Sequence, residues 1–104
     1  MDSKDLISFI PVGRTNAIHS CDLEKLMGCE SSSELRKMIS MVRINGTADG
    51  TVICSNSSDG YWRSRDIAEI RRFVRSMHSR ATQILLACEP AEKILDALEG
   101  ESDG

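Results

Sequence analysis

Along the middle of the chain, Leu35, Met38, Ile39 and Val42 fall at i, i+3, i+4 and i+7, the spacing of one buried stripe on an α-helix. Ser33, Arg36, Lys37, Ser40 and Arg43 recur at the same spacing on the opposite face, and all are polar or cationic. Just upstream, Leu23, Leu26 and Met27 form a shorter apolar set, with Ser20 placed to cap a helix and Gly28 to end it. The stretch from Ser20 to Asn45 therefore predicts two helices joined by a tight turn. The second begins within Ser31 to Ser33, any of which can accept an orphan backbone N–H, and Glu34 adds negative charge near its positive end.

The flanking pattern changes period. Leu6, Ile7, Phe9 and Ile10 give the opening segment an apolar side, with Asp2 or Ser3 as its cap and Pro11 as its stop. Gly13 and Asn16 mark a turn, and Ala17 to His19 read as a short extended piece at a sheet edge, which His19 either closes or makes pH-sensitive. After a loop at Asn45 to Gly50, the β-branched run Thr51 to Ser55 and the run Tyr61 to Arg63 are separated by Asn56 to Gly60, the signature of a hairpin. Tyr61 and Trp62, as neighbours on a strand, point to opposite faces, so at least one belongs to the core even if the other is free to stack on bases.

From Ser64, read as a cap, a long helical stripe begins: Ile67, Ile70, Phe73 or Val74, Met77, Ala81, Ile84, Leu85 and Cys88. Arg71, Arg72, Arg75 and Arg80 decorate its other side, whereas ATQILLAC carries no charge. Pro90 reads as the first residue of a separate last helix bearing Ala91, Ile94, Leu95 and Leu98, and the closing GESDG as disordered. The uncharged end of the long helix needs a cover, supplied by that last helix or by a homodimer through the long helix.

Composition narrows this further. With 104 residues and 40% apolar content, the chain is sized for about one aliphatic, sulfur-rich core of packed helices. No run is long and apolar enough for a membrane span and the start does not resemble a secretion signal, so the chain reads as cytoplasmic. In that compartment Cys21, Cys29, Cys54 and Cys88 are expected as small buried thiols. No Cys-x-x-Cys occurs and His19 and His78 stand alone, so neither a metal nor another cofactor is expected. The absence of a phosphate loop, a His-Glu metal motif and a nucleophile elbow argues against an enzyme. The net charge of −3 is unevenly spread: residues 31–80 hold 9 basic and 5 acidic side chains, residues 81–104 hold 1 and 6. Because cations act on phosphates within a Debye length of about 8 Å, a basic middle is compatible with nucleic acid despite the acidic tail.

The LISFIPVGRTNAI opening, the DLEKLMG and SELRKMI pair, the GYW closing the hairpin and the IRRFVRSMHSRA tract, taken in order, resemble the winged helix-turn-helix family. More particularly, they resemble the small winged-helix proteins encoded near replication genes in prophages of Gram-positive bacteria. The resemblance covers about residues 5–87. It implies a mainly α fold with a small β-hairpin (α+β): a winged domain over residues 1–87, followed by a C-terminal helical extension and acidic tail over 88–104. It also implies double-stranded DNA as partner, in transcription regulation or replication. On that basis Arg36, Lys37 and Arg43 would meet phosphates or base edges and Ser32, Ser33 and Ser40 would add shorter hydrogen bonds, while Asn56, Ser57, Ser58 and Arg63 would form the wing contact. The competing expectation is a winged-helix protein-interaction module, a replication or regulatory adaptor in which the basic middle is only a solvated face.

Overall fold

A computed structural model describes residues 3–102, and the side chains of residues 6–101. The order is α1 (Ser3–Phe9), a 3-10 turn at Arg14–Asn16, α2 (Ser20–Met27), α3 (Ser32–Asn45), β1 (Val52–Asn56), β2 (Gly60–Ser64) and α4 (Ile67–Ser102). This is an α+β architecture, mostly helical, with one antiparallel hairpin and a long C-terminal helix. It divides into a unit that runs to Phe73 and a second that starts at Val74.

The first unit is built on the aliphatic stripes. Leu6, Ile10, Leu23, Met27, Leu35, Ile39, Val42 and Ile53 form one buried cluster, with Ile7, Ile18, Cys29, Met38 and Tyr61 half-buried against it. Leu26 departs from the expected stripe and is exposed, because Met27, one turn on from Leu23, takes the core position on this short helix. Ser20 is not the cap of α2 but its first residue. Ile18 is bridged to Tyr61, so the chain turns into the helix one residue earlier than Ser20 would allow, at an extended His19 whose carbonyl takes the N–H of Leu23 at 3.0 Å. At the other end Gly28 is left-handed, φ +68°, with Gly28 N–H on the Lys25 carbonyl and Cys29 N–H on that of Glu24. These two bonds close the helix as a Schellman turn and set up the connection to α3. Ser31 Oγ accepts Glu34 N–H at 3.2 Å, and Glu34 Oε2 accepts Glu30 N–H at 2.9 Å, so the start of α3 is satisfied from both sides. Of the two caps expected for α1, Ser3 is the first residue of the helix and Asp2 lies outside the described residues.

In the hairpin Val52 opposes Ser64, Cys54 opposes Trp62 and Asn56 opposes Gly60. Ile53 and Tyr61 face the cluster while Cys54 and Trp62 are buried on the other side, the split expected for the adjacent aromatic pair. The second edge of β2 is also occupied. Tyr61 N–H donates to the Ile18 carbonyl at 2.8 Å and the Tyr61 carbonyl accepts the Ile18 N–H at 2.9 Å; Arg63 N–H donates to the Pro11 carbonyl at 2.8 Å. The extended piece at 17–19 thus forms one bridge rather than a strand.

Three features of α4 differ from the sequence reading. Its cap is Asp66, whose Oδ2 accepts Glu69 N–H at 2.9 Å; Ser64 stands one step outside, accepting Asp66 N–H and donating to Glu69. Pro90 lies inside the helix instead of starting a new one. A proline there removes one bond to the carbonyl four residues back, a cost of about 3 kcal/mol. Strong helix formers on both sides, Leu85 to Glu89 and Ala91 to Lys93, carry the helix through. Gly100, Glu101 and Ser102 are helical as well, and the remaining two residues of the tail expected to be disordered lie outside the described residues.

Candidate nucleic-acid interface

With Leu35, Ile39 and Val42 turned into the core, the geometry of α3 turns Ser33, Arg36, Lys37 and Ser40 outward; Ser32, on the side of Leu35 but in the first turn, is exposed as well. Arg36 Nε reaches back only to the Ser32 carbonyl of its own helix, at 3.4 Å. Five of the six expected α3 contacts are therefore exposed, four of them on the face opposite the core.

Arg43 is the exception. Its Nε donates to the Ile53 carbonyl at 3.0 Å, its Nη2 to Ser55 Oγ at 3.1 Å, and its guanidinium carbon lies 4.7 Å from the centroid of the Phe73 ring. Because Tyr61 and Arg63 turn their backbone groups toward Ile18 and Pro11, β1 pairs through the alternate residues and Ile53 presents its carbonyl on the outer edge. Arg43 occupies that edge, fastening α3 to the hairpin and to the first turns of α4. Its position beside Val42 and one turn beyond Ile39, at the border of the apolar stripe, is the signal that could have placed it there.

At the hairpin, two of the four expected contacts are likewise spent internally. Asn56 Oδ1 accepts Asp59 N–H at 2.5 Å, and its Nδ2 donates to Asp59 Oδ2 at 2.8 Å, so this side chain shapes the turn. Arg14 Nε pairs with the same Asp59 oxygen at 2.8 Å, tying the tip to the 3-10 turn. Arg63 donates from Nε to the Ile10 carbonyl at 2.8 Å and pairs through Nη1 with Asp49 Oδ2 at 2.6 Å. Strand parity places Arg63 on the same face as Ile53 and Tyr61, so an inward role was legible. Ser57 and Ser58 remain exposed at the tip, with Ser58 Oγ also donating to Asn56 Oδ1 at 3.4 Å. Arg65, exposed on the link between β2 and α4, lies outside the expected set; a single cation in a loop has no periodicity to reveal it.

Asp49 organises the loop that leads into β1. Hydrogen bonds from the Thr51 hydroxyl, then from the Thr51 backbone N–H, and the field of Arg63 hold its carboxyl down at about 2, against the ordinary 3.8. A depressed folded value means stability that is present above the unfolded carboxylate range and is lost as pH falls from near 4 toward 2. Asp49→Asn is expected to flatten that acid limb in a thermal-melt series from neutral pH to about 2, relative to the parent chain.

The cysteines are free: Cys54 is buried, with its thiol pushed up to about 11 chiefly by burial, whereas Cys21 and Cys88 are exposed, unlike the expected buried thiols. Cys21 starts a turn of α2 away from the core and Cys88 lies in the second unit, where no described side chain is buried. Among the described residues no helix is long and apolar enough to cross a membrane. Comparison with protein families, with curated proteins and with solved structures found no match to this chain.

Proposed function

We propose that this chain binds duplex DNA as a winged helix-turn-helix protein, with α3 in the major groove and the β1–β2 tip against the backbone, in phage-type transcription regulation or replication. The observation that carries this reading is the exposed Ser33, Arg36, Lys37, Ser40 stripe on a helix whose underside is core and whose two ends are fixed by Ser31 and Arg43. The order α1, a bridged Ile18, α2, α3 and hairpin supports the winged-helix assignment. Arg36 and Lys37 supply the phosphate or guanine contacts, Ser32, Ser33 and Ser40 shorter bonds, and Ser57 and Ser58 the wing contact. Arg43, Asn56 and Arg63 position these elements.

A second reading is favoured by Met41 and Ile44, exposed at 59% and 80% on the same helix: a protein-docking face for a replication or regulatory adaptor. Salt separates the two. In a fluorescence-anisotropy titration with random duplex, neutralising even two phosphates weakens binding roughly tenfold between about 50 and about 200 mM salt. Undetectable binding at the lower salt would leave the docking face as the better account.

A further inference from the structure

From Val74 onward α4 carries an unbroken seam: Val74, Met77, Ala81, Ile84, Cys88, Ala91, Leu95 and Leu98 alternate in steps of three and four, a heptad pattern with no charge at any seam position. Among the described residues of the second unit nothing buries it, with Ile84, Leu95 and Leu98 all more than half exposed (62%, 52% and 56%). Such a seam sustained over roughly 3.5 heptads is the pattern of a coiled coil. Pro90 falls on the face away from it, where a missing backbone bond does not disturb side-chain packing.

The charges say which partner and which direction. The first half of this segment carries Arg75 and Arg80; the second carries Glu89, Glu92, Asp96, Glu99 and Glu101 against the single Lys93. A parallel copy would stack acid on acid. An antiparallel copy sets each half against its opposite, and the sequence is self-complementary in that direction. With Leu86 at the centre, Val74 meets Leu98 of the second copy, Met77 meets Leu95, Ala81 meets Ala91 and Ile84 meets Cys88, so every layer is apolar and the two alanines coincide. On one flank His78 then faces Glu92 of the second copy and Leu85 faces its own equivalent. We propose that α4 pairs with α4 of a second copy of this chain as an antiparallel two-helix coiled coil in this register. The assignment rests on α4 alone and is independent of DNA binding.

The test combines solution mass with flank charges. The full chain is expected to sediment at twice its 11.5 kDa, and Ile84→Asp, which puts charge into a central layer, at the single mass with the far-UV signal of the rest of the fold kept. A parent chain that stays monomeric, or an Ile84→Asp chain that stays dimeric, overturns the seam. His78→Glu places two carboxylates opposite Glu92 in the antiparallel pair and is expected to weaken dimerisation about tenfold. Adding Glu92→Arg to the same chain should restore it. Mixing the His78→Glu chain with a Glu92→Arg chain should give a heterodimer tighter than either homodimer. In a parallel pair His78 faces Phe73 and Glu92 faces Ala87, so a dimer whose affinity ignores these changes overturns the direction.

Discussion

Gly60→Ala is expected to remove a large part of the stability of the first unit. Gly60 has φ +101°, a conformation that L side chains rarely adopt, and a Cβ added there would lie 2.7 Å from the Ile18 carbonyl carbon and 2.9 Å from His19 Cα. Those atoms are backbone, and they are held where they are by the two hydrogen bonds between Ile18 and Tyr61. A methyl group must therefore separate the 17–19 segment from β2 or force the hairpin out of register. Breaking two backbone bonds and imposing the backbone strain together cost about 3–5 kcal/mol. For a domain with roughly 5–15 kcal/mol in total, that is about a fifth at the least. Denaturant unfolding reads it directly, and Gly50→Ala is the internal control. Gly50 has a comparable φ of +75° but no atom within 4 Å of the added Cβ, so it should show the conformational cost without the clash. Equal losses for the two variants would mean that the approach of Ile18 to Gly60 is not as close as described.

The difference between these glycines shows what the sequence makes legible. Both read as turn residues from composition alone; only the fold reveals that another segment passes beside one of them. The same division runs through the whole chain. The α3 stripe, the hairpin and the Ser31 cap follow from period and local chemistry, because the signal lies within a few residues of its effect. For Arg43 and Arg63 position along the element hints at an inward side, but the partners themselves lie elsewhere: the Ile53 carbonyl is 10 residues from Arg43, and the Ile10 carbonyl is 53 residues from Arg63. Pro90 read as a helix start because the local rule is sound for an isolated segment, and it failed where strong helix formers on both sides outweighed one missing bond. The seam of α4 was visible as an apolar stripe, but the sequence alone left two covers for it. An unbroken helix through Pro90 removes the one that needed a separate final helix to fold back.

Reversing both exposed cations of α3, Arg36→Glu with Lys37→Glu, is expected to abolish retention on duplex DNA at low salt. The change replaces two favourable phosphate contacts with two repulsive ones, and loss of the contacts alone lowers the salt slope of log K by about 2. At about 50 mM salt the combined effect should exceed roughly a hundredfold in affinity. Neither residue touches the core, and the one side-chain bond involved, from Arg36 to Ser32, stays within the helix, so the thermal midpoint should barely move. Arg43→Met supplies the contrast. It removes two hydrogen bonds to the hairpin and the contact with Phe73, and should lower stability by about 1–3 kcal/mol while the folded fraction keeps its affinity for duplex. The pair of variants thus separates a reading surface from the bracket that holds it. Full retention by the Arg36→Glu, Lys37→Glu chain would sink the groove-binding role of α3. A well-folded Arg43→Met chain that no longer binds would show that Arg43 leaves Ile53 to meet the DNA itself.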